Sequence, residues 1–491
     1  MDTDYADVLG GRASRKSQVA GRESAINMSN GQPQVFDAAE FAAWAHGDAQ
    51  ALPTTFCGVT QDSRQVMPGC LYIALRGEHF DGHEFVAQAL QRGAAAALVE
   101  RAWCAPEEAA GWPLIRVDDA RRALADVART WRLRQTARIV GITGSSGKTT
   151  VKEMMAALCS GGGSVCATRG NLNNEIGLPL SLLTLGAETK YGIFEVGTNH
   201  PGEIAVLADV LRPEIALISS IGNAHIEHFG SQEAIALEKG ELLRALPSNG
   251  VAVLCRETAC FERLMACAAA LVVTTSLVMR EADFYGEPLD LSVGRIRVSE
   301  RATGAEIELC CGLPGEHNAS NLLLAFAAAR TAGVSAAAAA EGLARLVLPE
   351  MRWAVSERGG VTVVNDAYNA NPQSMLAVLR TFMQIPCGGR RITVLGDMLE
   401  LGAHTEALHR EVGRAVAALA PDEVIGVGPD TSRYVADEAV KCGYPAARMT
   451  CCADAVDAAA MLRARARAGD SVLLKASRGM QLERVLDAWT V

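Results

Sequence analysis

The 491-residue sequence lacks three features that would place it in a specialised class of protein. It has no run of eighteen apolar residues, so we expect no membrane-spanning helix. No segment is strongly basic and the net charge is −10, which argues against a nucleic-acid partner. The 14 cysteines include no C-x-x-C pair, which favours reduced thiols over a zinc ribbon or a disulfide framework. We therefore expect a cytoplasmic protein, a monomer, with small-molecule partners.

The N-terminal stretch lacks the apolar core of a secretory signal and has no helical periodicity. Residues 1–33 are predicted to be a disordered extension, because they are rich in Gly, Ser, Arg and Asp. Met28 lies directly before the first helical pattern, so translation starting at Met1 and translation starting at Met28 are both open.

From about residue 34 onward, short apolar strands alternate with helical stretches, which predicts an α/β protein with parallel sheets. A chain of this length is expected to form several domains. We predict an N-terminal domain over 34–135, a central domain over 136–348 and a C-terminal domain over 349–491. The stretch 270–312 alternates apolar and polar residues between turns, which predicts an antiparallel patch on the central domain.

The string GITGSSGKTT, residues 141–150, lies between an apolar strand and a helical pattern. Backbone N–H groups in such a turn can surround phosphate oxygens, with the positive end of the following helix behind them. Lys148 would reach the terminal phosphates, and the Thr149 hydroxyl would hold Mg²⁺. Ile142 stands where the strict phosphate-loop pattern has glycine, so an ordinary glycine-rich turn stays open at this point.

Polar clusters follow several of the predicted strands, where an open α/β sheet places its ligands. Glu195 ends the strand YGIFEV and is a candidate Mg²⁺ ligand, with a helix cap as its alternative. His225 and His228 flank Glu227, but this spacing in a turn is weak evidence for a metal.

The segments GITGSSGKTT, NLNNEIGLP, EVGTNHPGEI, AHIEHFGS, LPGEHNASN, NDAYNANPQSM, LGDMLELG and KASRG occur in this order. Together they resemble the Mur ligases, the ATP-dependent enzymes that add amino acids to the UDP-muramoyl peptide of bacterial cell walls. The resemblance runs from about residue 35 to the end and implies an N-terminal UDP-sugar-binding domain, a central P-loop-type ATPase domain and a Rossmann-like C-terminal domain. Phosphate loops of this family often lack the first glycine, so Ile142 is no objection to ATP.

The resemblance also implies roles for particular positions. The expected ATP contacts are Gly144, Ser145, Ser146, Gly147, Lys148, Thr149, Thr150, Asn318, Asn321, Arg352 and Asp366. The expected ligands of two Mg²⁺ ions are Thr149, Glu195, His225 and Lys239. Lys239 falls where the family has a lysine carbamylated by CO₂, and with Lys148 and His225 it forms the expected catalytic set.

Each of these roles has a simpler alternative. Asn318 could cap a helix, Arg352 could be a surface cation, and Lys239 could pair with a neighbouring glutamate. Glu350 and Met351 precede Arg352 where the family usually has glycine, and CRETAC replaces an Asn-x-Asp-Asp-like segment at 255–260.

The expected substrate contacts are Ser63, Arg64, Asn173, Asn174, Asn369 and Asn371. Ser63 and Arg64 lie in the segment that resembles the uridine-binding region. The segment NANPQS has two amide side chains beside a proline, which could hold a zwitterion without adding charge. The chain has no Asp-Asn-Pro-Arg motif, which favours the family member that adds D-alanyl-D-alanine to UDP-muramoyl-tripeptide.

Two alternatives remain at this point. A folylpolyglutamate synthetase-like ligase has related fold and chemistry, and a non-catalytic ATP-binding module would need fewer of these residues. The sequence leaves open which third residue the tripeptide carries, diaminopimelate or lysine.

Overall fold

The structure is a computed structural model that describes residues 28–29, 32–77 and 80–489. The predicted extension, 1–33, lies mostly outside the described residues. In this part of the chain, no helix is long and apolar enough to cross a membrane.

The first unit is built on a five-stranded sheet with strand order β4-β9-β8-β7-β6, in which only β4 is antiparallel to its neighbour. The same unit contains two small antiparallel pairs outside this sheet: β1 pairs with β2, and β3 pairs with β5. The strands are β1 Met28–Ser29, β2 Gln32–Pro33, β3 Val35–Asp37, β4 Asp48–Gln50, β5 Thr55–Cys57, β6 Val59–Thr60, β7 Leu71–Ile73, β8 Ala96–Glu100 and β9 Leu114–Val117. The helices are α1 Ala38–Trp44, α2 Val86–Gln91 and α3 Ala120–Leu133.

The central unit contains a nine-stranded sheet with strand order β11-β12-β10-β13-β14-β15-β16-β17-β18. The strands are β10 Arg138–Thr143, β11 Val165–Ala167, β12 Tyr191–Glu195, β13 Ile215–Ile218, β14 Val251–Cys255, β15 Leu271–Ser276, β16 Phe284–Asp290, β17 Arg295–Glu300 and β18 Ala305–Cys310. The helices are α4 Lys148–Ser160, α5 Gly177–Leu182, α6 Glu203–Leu211, α7 Ile226–Phe229, α8 Gln232–Arg244, α9 Phe261–Cys267, α10 Glu316–Thr331 and α11 Ala336–Leu343. The antiparallel patch begins at β16, one strand later than predicted, because β15 still pairs in parallel with both neighbours.

The third unit contains a six-stranded sheet with strand order β19-β20-β24-β21-β22-β23, parallel except for β19. The strands are β19 Ala354–Arg358, β20 Val361–Asn365, β21 Arg391–Gly396, β22 Glu423–Val427, β23 Met449–Cys452 and β24 Ser471–Lys475. The helices are α12 Pro372–Gln384, α13 Thr405–Leu419, α14 Ala436–Lys441, α15 Ala455–Arg465 and α16 Arg484–Ala488. The predicted α/β class with a mostly parallel central sheet is confirmed.

Buried helices form the core of the central unit, and an ion pair joins that unit to the first one. Helix α10 is apolar on nearly all sides and is buried along most of its length, as expected for a helix packed inside a domain. It lies against α4, which follows the phosphate loop. Arg132 of α3 joins the first unit to the central one, since its guanidinium donates to Glu214 at 2.6 Å.

Candidate active site

The glycine-rich segment forms a strand-loop-helix turn, because β10 ends at Thr143 and α4 begins at Lys148. The Lys148 Nζ donates to the Gly144 carbonyl at 2.8 Å. The loop is tied to the end of the adjacent parallel strand β13, since the backbone N–H groups of Ser145 and Ser146 donate to Ser220. Those two amides are therefore engaged by the protein, and the first N–H groups of α4 are the free donors for a phosphate.

Burial lowers the pKa of Lys148, and the nearby Arg352 charge lowers it further while Glu195 opposes them. Glu195 and Arg352 are thus both close to the lysine. A phosphate group bound beside Lys148 would favour its charged form.

Thr149, Glu195 and Asn173 form one hydrogen-bonded cluster beside the loop. Glu195 is only 3% exposed, and its two carboxylate oxygens accept from the Thr149 hydroxyl and the Asn173 amide, each at 2.8 Å. The parallel pairing of β10 and β12 explains the contact, because it brings the carboxyl ends of both strands to one edge of the sheet. A buried carboxylate and a hydroxyl are oxygen ligands of the kind that Mg²⁺ prefers.

The third unit reaches the same cluster through Arg352. Its guanidinium donates to the Thr149 hydroxyl at 2.9 Å and lies over the Tyr368 ring, 4.2 Å from the centroid. Arg352 is therefore a site residue, and the surface-cation alternative does not describe it.

Asp366 and Lys475 form an ion pair at 2.5 Å where strands β20 and β24 end. The two strands are parallel neighbours, so their carboxyl ends meet. The other Asp366 oxygen accepts from the backbone N–H of Trp353 at 2.8 Å, and Lys475 also donates to the Asn369 carbonyl at 2.8 Å. This pairing fixes the carboxylate that we expect on the ribose side of ATP.

The first turns of α10 form another wall. Asn318 is buried, and its amide donates to the Pro314 carbonyl at 2.8 Å, while Gly315 rather than Asn318 occupies the cap position. Asn321 is buried against Gly147. Between the cap and Asn318, burial lowers the pKa of His317 to about 4, with Lys475 lowering it further and Asp366 opposing them.

His225 lies at the start of α7 with a left-handed φ of 58°, and its Nδ1 is hydrogen-bonded to the Glu400 carboxylate of the third unit. This bond lowers the pKa of Glu400. His228 contacts His200 instead, with ring centroids 4.4 Å apart. His228 and His200 nevertheless lie near the same carboxylate, because their charges also lower the pKa of Glu400.

Lys239 lies on α8 and is only 2% exposed. Neither glutamate that could have paired with it does so: Glu238 accepts from the backbone N–H groups of Gly202 and Ile204, and Glu241 pairs with Arg244. Among the described residues, none forms a hydrogen bond or ion pair with the Lys239 amine. Burial, together with the nearby Lys148 charge, holds the pKa of Lys239 well below its ordinary value.

One cavity of about 1250 Å³ connects these groups between the central and third units. It is lined by every residue from Ser145 to Thr150 and by Asn173, Asn174, Glu195, His225, Asn318, Asn321, Arg352, Asp366, Asn369 and Asn371. Of the predicted site residues, Gly144, Lys239, Ser63 and Arg64 are outside the lining. Gly144 and Lys239 nevertheless contact or lie close to Lys148.

Ser63 and Arg64 lie in the first unit, at the carboxyl end of its parallel strands. The Arg64 side chain is largely exposed and pairs with Asp62 at 2.9 Å, whereas Ser63 is buried. The structure does not bring them to the cavity.

Several cavity residues had no predicted role, and among them are Cys255, Glu257, His317, Tyr368 and Lys475. His317, Tyr368 and Lys475 lie inside quoted motifs, so the signal was present for them. Cys255 and Glu257 belong to CRETAC, the segment that departs from the family pattern, yet both line the cavity. Among the described residues, no group of three His, Cys, Asp or Glu side chains could hold a metal ion by itself.

Sequence models of three Mur ligase domains match the chain. They are the Mur ligase family catalytic domain over residues 55–132, the Mur ligase middle domain over 142–329 and the Mur ligase glutamate ligase domain over 351–478.

Curated relatives match over most of their length. The chain is 37% identical to the UDP-N-acetylmuramoyl-tripeptide--D-alanyl-D-alanine ligase of Escherichia coli (strain K12), over 78% of this chain and 84% of the relative. It is 33% identical to the enzyme of that name from Bacillus subtilis (strain 168), over 91% and 96%.

Solved structures of MurF proteins superpose on this chain. MurF from Acinetobacter baumannii superposes with a TM-score of 0.83 at 28% identity, over 93% of this chain and 99% of that one. MurF ligase from Thermotoga maritima, in complex with ADP, has a TM-score of 0.74 at 27% identity, over 88% and 96%. A folylpolyglutamate synthase from Mycobacterium tuberculosis, at 19% identity and a TM-score of 0.59, shares the fold alone.

Proposed function

The chain belongs to the Mur ligase family, and on that premise we propose that it joins D-alanyl-D-alanine to UDP-N-acetylmuramoyl-tripeptide with the use of ATP. It is an enzyme, an ATP-dependent carbon–nitrogen ligase of peptidoglycan precursor synthesis. The products are UDP-N-acetylmuramoyl-pentapeptide, ADP and phosphate.

One structural observation supports this proposal in addition to the family membership. The Thr149–Glu195 pair beside the phosphate loop is contacted by Arg352 from the third unit, within a cavity that both units line. A passive nucleotide-binding module has no need of a second unit at this point. A ligase does, because a reactive phosphorylated intermediate has to meet an amine away from water.

The chemistry requires activation of a carboxylate, which is a poor electrophile. A carboxylate oxygen of the tripeptide attacks the γ-phosphorus of ATP, the bond from that phosphorus to ADP breaks, and an acyl phosphate forms. The neutral amine of D-alanyl-D-alanine then attacks the acyl carbon, the bond from that carbon to the phosphate oxygen breaks, and the nitrogen loses a proton as phosphate leaves. Lys148 and the N–H groups at the start of α4 would stabilise the negative charge on the phosphoryl oxygens.

The residues fit one Mg²⁺ beside the nucleotide. Glu195 and the Thr149 hydroxyl are oxygen ligands, and Mg²⁺ is commonly bound by one or two carboxylates together with substrate phosphates. This explains why no described group of three ligating side chains is present. The ion would neutralise charge on the phosphates.

We propose further that Lys239 carries a carbamate that serves a second Mg²⁺ with His225. The support is the isolation of this lysine, which is buried without a hydrogen-bonding or ion-pair partner in the described structure. A neutral amine nitrogen forms a bond to the carbon of CO₂, one C=O electron pair moves to oxygen, and the amine loses a proton. The resulting anion would suit the positive surroundings of Lys148.

The three predicted domains divide the substrates among them. We propose that 34–135 binds the UDP-sugar through Ser63 and Arg64, that 136–348 binds ATP, and that 349–491 contributes the dipeptide site. Asn174 and the exposed Asn369 both line the cavity and remain candidate contacts for the peptide substrates.

The test is phosphate release and product mass on UDP-N-acetylmuramoyl-tripeptide, with and without D-alanyl-D-alanine. Tripeptides ending in diaminopimelate and in lysine are both supplied, because the sequence leaves that residue open. We expect phosphate release that depends on the dipeptide and a mass increase equal to D-alanyl-D-alanine less water. Phosphate release with folate and glutamate, and none with the muramoyl peptide, would establish the folylpolyglutamate alternative instead.

A further inference from the structure

Asn371 forms hydrogen bonds from the third unit to the phosphate loop. It is the N-cap of α12, where its Oδ1 accepts from the Ser374 backbone N–H at 2.9 Å. The Ser374 hydroxyl accepts in return from the Asn371 backbone N–H at 3.0 Å, which completes a capping box. The oxygen of the amide is therefore committed to its own helix.

The amide nitrogen points the other way, across the unit boundary. Asn371 Nδ2 donates to the Ser146 hydroxyl at 2.8 Å and to the Ser145 carbonyl at 3.3 Å. An amide nitrogen has two hydrogens, and both are used here. Asn371 is only 6% exposed. Little hydrogen-bonding capacity is left for an incoming dipeptide.

A second contact supports the same attachment two residues later. Gln373 Oε1 accepts from the Asn223 backbone N–H at 2.9 Å. The neighbouring Gly222 exchanges hydrogen bonds with the Ser145 hydroxyl, at 2.9 and 3.2 Å. The start of α12, the phosphate loop and the segment after β13 thus form one connected polar network.

We propose that Asn371 is a positioning residue that holds Ser145 and Ser146 against the third unit, and that it does not bind the dipeptide. If the loop is fixed relative to the third unit, the γ-phosphate is fixed relative to the dipeptide amine. That amine attacks in the step after phosphoryl transfer. A small misplacement of reacting groups costs rate more than it costs affinity. The kinetic part of this inference rests on the proposed ligase function, whereas the loop contact does not.

The decisive variant is Asn371→Ser. Serine is among the preferred N-cap residues, so the cap is kept, but the amide donor to the loop is lost. We expect kcat to fall about ten-fold or more while KM for D-alanyl-D-alanine changes less than about two-fold. In the protein without ligands, hydrogen exchange of the peptide covering 143–149 should become faster.

Two further variants make the test specific. Asp454→Ala removes the N-cap of α15, in the same unit but away from the cavity, and should lower the melting temperature without changing kcat or loop exchange. Ser146→Ala removes the 2.8 Å acceptor, so its effect on kcat should not add to that of Asn371→Ser.

Two results would overturn the proposal. A ten-fold rise in KM for the dipeptide at constant kcat would make Asn371 a substrate contact. Unchanged kinetics and unchanged exchange would make it a helix cap alone. If the wild-type protein formed no pentapeptide, the proposed function would fail, but loop exchange in Asn371→Ser would still decide this inference.

Discussion

Gly147 is a position of the phosphate loop at which a side chain would meet both backbone strain and a steric clash. It is the N-cap of α4 with φ 82° and ψ −9°, a left-handed conformation. A Cβ atom there would lie 2.9 Å from Asn321 Oδ1 and 3.3 Å from its Nδ2. We therefore predict that Gly147→Ala destabilises the protein and weakens ADP binding.

Two costs add in this variant. A left-handed backbone costs a residue with a Cβ roughly 1–2 kcal/mol. Overpacking against a buried side chain typically costs about 1–3 kcal/mol more. Since Asn321 belongs to the buried helix α10 and packs against the loop, it has little room to move away. The sum is about 2–5 kcal/mol.

Gly202 offers a control with the same backbone and no clash. It is the N-cap of α6 with φ 90° and ψ −12°, and a Cβ there would meet nothing within 4 Å. Gly202→Ala should show only the backbone cost of roughly 1–2 kcal/mol. The difference between the two variants isolates the contact with Asn321.

The assay is thermal unfolding with and without ADP, combined with ADP titration. For a domain of the size of the central unit, a loss of about 1 kcal/mol in the free energy of unfolding lowers the melting temperature by roughly 2–4 °C. We expect Gly147→Ala to melt several degrees below Gly202→Ala and to bind ADP at least about ten-fold more weakly, which is about 1.4 kcal/mol. Equal melting temperatures and equal ADP affinities for the two variants would refute this description of the loop.

Three other predictions concern ionisable residues of the site. Lys239→Ala should lose most ligase activity and regain part of it with added short carboxylic acids, and ¹³C NMR with ¹³CO₂ should show a carbamate signal in the wild type only; a fully active variant would exclude the modification. Glu195→Gln should shift the Mg²⁺ dependence of the reaction to higher concentration and lower kcat/KM about 100-fold or more, as measured by Mg²⁺ titration; an unchanged Mg²⁺ curve would remove Glu195 from the metal site. The pKa of His317 is lowered from 6.5 to about 4, so the unfolded chain takes up a proton first as the pH falls. The neutral His317 therefore contributes fully to the free energy of unfolding above pH 6.5. That contribution is lost between pH 6.5 and about 4, by at most about 3 kcal/mol. Melting temperatures across that range should fall less steeply for His317→Asn than for the wild type, and parallel curves would contradict the assignment.

The sequence predicted best what lies at the ends of neighbouring strands. The phosphate loop and Glu195 follow β10 and β12, which are adjacent and parallel, so the expectation that both lie at the carboxyl ends of strands in one sheet was enough to place them at the same edge. The antiparallel patch was placed one strand too early, because β15 alternates in sequence yet pairs in parallel.

Contacts between units could not be predicted from sequence alone. His225 was expected to bind metal, but nothing along the chain indicated that Glu400 would be its partner, since 175 residues separate them. Asn371 was singled out for its amide and its proline, but its target in the loop is 225 residues away. Such contacts depend on how folded units dock, which local periodicity does not encode.

The contacts between the central and third units have a consequence for binding. Arg352 donates to Thr149 and Asn371 donates to Ser146, so the third unit is attached to the segment that we expect to bind the phosphates. If nucleotide binding changes the geometry of that segment, it changes the free energy of docking the third unit, and the same coupling acts in reverse. ATP affinity and the placement of the dipeptide site are then linked through these hydrogen bonds. A ligase benefits from that linkage, because the acyl phosphate survives only while the cavity is closed to water.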